Sequence, residues 1–284
     1  MKSAESACPV MSPINTVALH VGMPSRANDV VAERFSAACQ AAGLQVAAYD
    51  PGAASAPDVL VCLGGDGTML SVAEQAARRG MILAGINTGH LGFLTTCSNN
   101  EYRSLISALA DGSYAVEQRS LLQVVQRSGQ QEYAPCYALN ELSLMRAQTG
   151  RMIDVDVELD GRLLNCYHAD GVLVATPTGS TAYSLSAGGA LLWPSAEVVT
   201  LTPICPHSLN SRPIVVPDSL EITLRPVARR GRAEESIIYS IDGQSARPIN
   251  VNDMLTVRKA AVGLKLLCLP NHDYAERLRA KMGW

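Results

Sequence analysis

The apolar positions at the start of the chain fall into short blocks: "TVALHV" (16–21), "LQVAAY" (44–49), "DVLVCL" (58–63) and "MILAGIN" (81–87). Each is long enough for a buried strand and too short for a packed helix. The stretches between them have helical spacing instead. Val31, Phe35 and Ala38 line one face of a helix predicted from a cap at Asn28 or Asp29 through Ala42, with Gly43 as its stop. A second helix is predicted over Met69 to Arg79 and a third near Asn99 to Asp111. Strands that alternate with helices predict a doubly wound parallel sheet. Such sheets bind ligands outside the carboxyl ends of their strands.

The pattern changes at about residue 113. In "MIDVDVELDG", Ile153, Val155, Val157 and Leu159 alternate with Asp154, Asp156 and Glu158, the period-two signature of a sheet with one wet face. Asp160-Gly161 then predicts a two-residue hairpin turn. The blocks "GVLVAT", "PIVV", "LEITL", "SIIYSI", "MLTVRK" and "LKLLCL" follow, so residues 113–263 read as all-β after an α/β region of residues 1–112. Tyr274 to Met282 is again helical.

Composition narrows the class. The chain has 284 residues, 48% apolar, with a net charge of −3, which gives no basic field for nucleic acid. No apolar run spans a bilayer, so no membrane partner is expected. The eight cysteines form no CxxC pair and several lie inside apolar strands, which predicts reduced thiols in a cytoplasmic protein. The four lysines are Lys2, Lys259, Lys265 and Lys281, and none follows a glycine, so there is no GxxxxGK[ST] phosphate loop. His20, His90 and His272 lack metal-ligand spacing, and no zinc site is expected from them.

The chemistry concentrates in four places. "GGDGT" ends the third predicted strand: Gly64, Gly65, Asp66, Gly67 and Thr68. It is not the dinucleotide fingerprint GxGxxG, because Leu70 stands at the third glycine position. Backbone N–H groups at the start of a helix bind phosphate. A carboxylate among them needs a task, either accepting a proton from an attacking hydroxyl or holding Mg²⁺. The alternative is a tight turn with an Asp cap. The second block, His168 to Gly189, carries the hydroxyls of Thr176, Thr178, Ser180, Thr181, Ser184 and Ser186, with Tyr183 able to flank a base. It suits a sugar-bearing ligand or is a Ser/Thr-rich loop. Third, Asn140 and Glu141 interrupt an apolar strand, as ligands for ribose hydroxyls or as a core hydrogen bond. Fourth, Asp242-Gly243 predicts a turn, followed by Gln244 as a solvated or ligand-contacting residue. Arg225, Arg229, Arg230 and Arg232 read as a solvated hairpin loop.

"GGDGT", "LNE", "DGVLVATPTGSTAYSLSAGG" and "PHSLNSRP", in that order, resemble the bacterial NAD kinase family over nearly the whole chain. The resemblance implies a Rossmann-like α/β N-terminal domain and an all-β C-terminal sandwich that binds NAD. It also implies that the tail, about 264–284, returns to complete the first domain. The implied reaction moves the terminal phosphoryl group of ATP to the 2′-hydroxyl of the adenosine ribose of NAD. By the same resemblance Asp66 is the catalytic carboxylate, and Gly67 lies beside the substrate. Asn140, Glu141, Arg151, His168 and Asp170 contact NAD. Thr181, Ala182, Tyr183, Ser184, Leu185 and Ser186 wrap it, with Gln244 near its other end. Gly64, Gly65 and Thr68 face the donor phosphates, a divalent ion such as Mg²⁺ accompanies ATP, and the protein is a homodimer or homotetramer. Family members often carry Arg where His168 stands; a guanidinium is always charged, whereas an imidazole titrates near neutrality. Lipid kinases of the diacylglycerol and sphingosine type share GGDGT and are the alternative. A nucleotide sensor without turnover is a third option.

Overall fold

In the computed structural model, residues 11–23, 26–89, 92–148, 151–228, 236–270 and 272–284 are described. The first apolar blocks become β1 (Thr16–Val21), β2 (Gln45–Ala48), β3 (Val59–Leu63) and β4 (Ile82–Asn87). Between and after them come α1 (Arg26–Ala41), α2 (Asp66–Arg78), β5 (Cys97–Ser98), α3 (Tyr102–Asp111) and β6 (Ala115–Arg119). The strands β2, β1, β3 and β4 are neighbours and parallel. All five residues of β3 are buried, which is why it reads as a continuous apolar run. Two helix starts differ from the sequence expectation. Asn28 lies inside α1, and its side-chain amide donates back to the Met23 carbonyl at 2.9 Å. The helix α2 begins at Asp66, three residues ahead of Met69, so the acidic residue belongs to its first turn.

The second half is antiparallel. Its strands are β7 (Leu122–Ser128), β8 (Gln131–Glu132), β9 (Cys136–Ala138), β10 (Glu141–Arg146), β11 (Ile153–Leu159), β12 (Arg162–Ala169) and β13 (Gly171–Ala175). A 3₁₀ turn at Thr178–Thr181 and the one-turn α4 (Tyr183–Ser186) precede β14 (Val198–Ile204), β15 (Ile214–Pro217), β16 (Ile222–Val227), β17 (Ile237–Ile241), β18 (Arg247–Ile249) and β19 (Met254–Lys259). One sheet has the order β15-β14-β13-β10-β17-β18 and the other β12-β11-β16-β19-β7-β8, with β9 beside β7. Leu142, Val172 and Leu201 from the first share one core with Val155, Leu224 and Val257 from the second, the packing of a sandwich. The Asp160-Gly161 hairpin turn forms with positive φ at both residues, 47° and 72°. The wet face expected of β11 is incomplete: Asp154 is buried. Of the arginine run, Arg225 lies on β16, while Arg229, Arg230 and Arg232 lie outside the described residues, as does His90.

The chain then returns to its first sheet. The strand β20 (Leu264–Cys268) sits between β4 and β6, parallel to β4, with Lys265 opposite Ile82 and Leu266 opposite Leu83. It is followed by α5 (Tyr274–Met282), capped by the Asp273 side chain accepting from the Ala275 N–H at 2.8 Å. The described residues up to Gln118 together with Leu264–Trp284 form one unit, and Arg119–Gly263 form the other. Because β6 pairs in the first sheet, the all-β region starts later than residue 113. No helix among the described residues is long and apolar enough to cross a membrane. The seven described cysteines are free thiols, and burial pushes Cys39, Cys62 and Cys97 up to about 12.

Candidate functional site

In the first unit the candidate residues meet where β3 passes into α2. Gly64 has φ +150°, and a Cβ there would overlap Thr68 Oγ1. Only glycine allows both that backbone and the closeness of the Thr68 side chain. Thr68 therefore turns inward against the strand tip. Gly65 is the N-cap, in extended conformation, and the space beside Gly65 and Gly67 is open. Both glycines are exposed, so their backbone can be approached directly. The first turn of a helix carries N–H groups with no intrahelical acceptor, and the helix dipole adds partial positive charge.

Asp66 points from this turn to a second loop. Its Oδ2 accepts the Phe93 N–H at 2.8 Å and its Oδ1 accepts the Leu94 N–H at 3.0 Å. Gly92 makes this possible, because a Cβ there would overlap the Asp66 carboxylate. The loop is fastened in turn by the C-terminal helix: Arg277 donates to the carbonyls of Phe93 at 3.0 Å and Thr95 at 2.7 Å. Each Asp66 oxygen keeps a further lone pair beyond its backbone bond. The arrangement holds a carboxylate in one orientation beside open helix-start backbone. Gly92, Leu94 and Arg277 carry no motif signal, and sequence reasoning missed them.

In the second unit, Asn140 lies between strands rather than within one. The chain leaves β9, paired in one sheet, and enters β10, paired in the other, across Leu139 and Asn140. Asp242 organises this corner. Its carboxylate accepts the N–H of Leu139 at 2.8 Å, Asn140 at 2.7 Å and Glu141 at 3.0 Å, and its own N–H donates to the Glu141 carbonyl at 2.9 Å. Asp242 and Gly243 form the predicted turn, with φ of 50° and 66°. The carboxylate's role was not legible from that turn. Gln244 follows on the surface.

The hydroxyl-rich block packs onto the same corner. Thr176 Oγ1 donates to the Leu139 carbonyl at 2.5 Å, and the Thr176 N–H donates to the Asn140 carbonyl at 2.9 Å. A Cβ on Gly179 would overlap the Asn140 backbone. Several hydroxyls are thus spent on the fold. Ser180 accepts the Leu192 N–H at 3.0 Å, and Ser184, fully buried, lies 3.1 Å from Thr202 Oγ1. Tyr183 is 38% exposed, and Thr181, Ala182, Leu185 and Ser186 lie at or near the surface around it.

Glu141 is buried, and among the described residues its Oε2 has no hydrogen-bond partner. Burial, reinforced by the Asp242 charge, pushes its carboxyl up to about 7. An unpartnered buried acceptor is costly unless a donor arrives, such as a sugar hydroxyl.

Asp170, His168 and Arg151 lie toward the other end of β13. Asp170 precedes β13, and Thr176 follows it, so roughly 20 Å of extended strand separates Asp170 from the Asn140 corner. Asp170 is gripped by Arg146 through two contacts, Nε to Oδ1 at 2.9 Å and Nη2 to Oδ2 at 3.0 Å, a bidentate pair. His168 Nδ1 is 3.0 Å from Oδ1 of the buried Asp154, its partner across the strand pair, and its ring lies 5.6 Å from that of His207. Arg151 is exposed just ahead of β11. Tyr183 links the two ends of β13: burial first, then the Cys205, Asp170 and Glu141 charges push its phenol up, so it lies within electrostatic reach of both carboxylates.

Comparison with known proteins bears on what these sites do. Residues 18–114 match the family model of the ATP-NAD kinase N-terminal domain, and residues 139–268 match that of the ATP-NAD kinase C-terminal domain. The NAD kinase of Porphyromonas gingivalis is 41% identical over 80% of this chain and 76% of its own. That of Alcanivorax borkumensis is 36% identical over 85% and 79%. Among solved structures, yeast NADH kinase complexed with NADH aligns with a TM-score of 0.87 over 96% of this chain and 88% of that one, at 23% identity, a likeness of fold. The NAD kinase of Archaeoglobus fulgidus in complex with ATP aligns with a TM-score of 0.76 over 94% and 98%, at 25% identity. None of these matches supports the lipid-kinase alternative.

Proposed function

The chain belongs to the NAD kinase family, and from that premise we propose how its own residues divide the work. The reaction transfers the terminal phosphoryl group of ATP to the 2′-hydroxyl of the adenosine ribose of NAD, giving NADP and ADP. A ribose hydroxyl is a poor nucleophile at neutral pH and needs a positioned base. Asp66 takes that role: it accepts the hydroxyl proton as the oxygen attacks phosphorus and ADP leaves. The observation that carries this reading is the two-point grip of the Phe93 and Leu94 N–H groups on its carboxylate beside the open Gly65 and Gly67 backbone.

The donor phosphates approach the start of α2, where the absence of side chains on Gly65 and Gly67 admits them to the N–H groups. Gly64 and Thr68 shape the turn. A divalent ion fits the chemistry of this turn, because the Asp66 carboxylate offers hard oxygen donors beside the open Gly65 and Gly67 backbone. When bound with ATP, Mg²⁺ neutralises charge on the transferring phosphoryl group. On the acceptor side, Asn140 and Glu141 hold the NAD ribose hydroxyls, and the surface of Thr181 to Ser186, with Tyr183, flanks the base. His168, Asp170, Arg151 and Gln244 contact more distant parts of the dinucleotide.

The free thiols support a reducing, cytoplasmic location. Leu163, 63% exposed on the edge strand β12, and Val215, 44% exposed on the edge strand β15, support self-association into a homodimer or homotetramer. The deciding assay incubates purified protein with Mg-ATP and NAD. NADP formed in step with ADP is the expected result. Turnover of a lipid alcohol without NADP would overturn the reading.

A further inference from the structure

Away from the substrate residues, three metal-ligating side chains of different chemistry converge in the first unit. Glu117 lies on β6, Cys268 is the last residue of β20, and His272 stands in the turn that leads to α5. The two strands are neighbours in the sheet. A carboxylate oxygen, the Cys268 sulfur and an imidazole nitrogen all lie within 4.8 Å of one another. Cys268 is buried and the other two are half-buried. The turn is held in shape by the His272 N–H, which donates to the Leu269 carbonyl at 2.9 Å.

We propose that Glu117, Cys268 and His272 form a binding site for a transition-metal ion of the Zn²⁺ class at the root of the C-terminal helix. The donor set decides the class. One sulfur, one nitrogen and one oxygen suit Zn²⁺ and its neighbours, whereas Mg²⁺ and Ca²⁺ take oxygen alone. Tetrahedral bonds of about 2.0–2.3 Å put ligand atoms roughly 3.5 Å apart. From separations of at most 4.8 Å, side-chain rotation has to close no more than about 1.3 Å to reach that spacing. Three protein ligands leave the fourth position to water. On binding, the Cys268 thiol gives its proton to solvent and its sulfur bonds to the metal.

The site fastens the segment that α5 hangs from. That helix carries Arg277, which holds the Phe93–Thr95 backbone, which in turn orients Asp66. Metal at this root therefore steadies the tail without touching substrate.

Co²⁺ is the probe for the test. Full-length protein is stripped with chelator, dialysed and titrated with Co²⁺ while absorption is recorded. The expected result is one Co²⁺ per chain with a near-ultraviolet thiolate-to-cobalt charge-transfer band. Cys268→Ser should abolish that band, and Cys166→Ser, at an exposed thiol, should leave it unchanged. His272→Gln should weaken Co²⁺ binding at least ~10-fold. Zn²⁺ should raise the melting temperature of the wild-type protein and not that of His272→Gln. If Cys268→Ser does not fold, Glu117→Gln and His272→Gln decide by the loss of affinity alone. A wild-type protein with no stoichiometric band, a band that survives Cys268→Ser, or unchanged affinity in the other two variants would overturn the proposal.

Discussion

The GGDGT turn and the Asn140 corner both bring acidic side chains to backbone N–H groups, but they are built in opposite ways. At the turn, five consecutive residues make the open backbone beside Gly65 and Gly67, and one remote loop, residues 92–94, supplies the N–H groups that hold Asp66. At the corner, three remote segments make the feature: residues 139–141, 176–184 and 242–244. The N–H groups of residues 139–141 are consumed by Asp242, and the hydroxyls of the second segment largely by the fold. The first design leaves backbone donors for an anion. The second leaves one buried carboxyl, Glu141, short of a donor. An acceptor substrate with hydroxyls suits the second, and a phosphate donor suits the first.

Removing the tail tests the scaffold under this contrast and has the largest expected effect. Because β20 lies inside the sheet between β4 and β6, truncation before Leu264 exposes two strand edges and the apolar face that covers them. The truncated chain should aggregate or lack cooperative unfolding by circular dichroism. A soluble product with a normal transition would show that the first unit stands without the tail. Next in size is Asp66→Asn, which should lower kcat by roughly 10²–10⁴-fold while NAD still binds. The amide also presents a donor to one of the two loop N–H groups, so the Gly92–Leu94 grip loosens with it. A kcat within about threefold of wild type would reduce Asp66 to a structural residue of the turn.

Asp242→Asn probes the corner as Asp66→Asn probes the turn. Three backbone N–H groups lose their charged acceptor, which should cost roughly 2 kcal/mol or more in denaturant unfolding. On the proposed reading, in which the corner positions Asn140 and Glu141 for NAD, the NAD KM should rise about tenfold with a smaller change in kcat. Equal stability with an unchanged KM would dissolve the proposed link between the turn at Asp242 and the substrate.

The smallest effect is on pH dependence. Glu141 is pushed up to about 7 from 4.5, by burial first and the Asp242 charge second. A carboxyl with a raised folded pKa contributes stability that is whole below its unfolded value and lost as pH rises through the folded one. The wild-type protein should therefore lose stability from this group between about pH 4.5 and pH 7. Glu141→Gln removes that slope, so its stability relative to wild type should improve by on the order of 1–2 kcal/mol from pH 5.5 to pH 8. The same variant should impair NAD binding more than Mg-ATP binding. A stability difference that does not move with pH would mean Glu141 is solvated and the corner is open like the turn.

What the amino-acid sequence determined by itself is what neighbouring residues decide. The all-buried β3, the alternation along β11 and the φ-demanding pairs Asp160-Gly161 and Asp242-Gly243 are local, because strand period and turn geometry act within a few residues. The α/β half followed by an antiparallel half is legible for the same reason. The Gly64–Thr68 motif marks its own place because it is contiguous. What only the tertiary structure decided is which distant groups complete each site. Asp154 reads as a wet position by its period, yet cross-strand pairing with His168 buries it. Arg277 reaches the loop that holds Asp66 because β20 enters the sheet next to β4 and delivers α5 there. Asp242 reaches residues 139–141 because β17 pairs with β10, and Glu117 meets Cys268 because β6 pairs with β20. Hydrogen bonds and metal ligation act over about 3 Å regardless of separation along the chain, so such partnerships become visible only when the strand order is known.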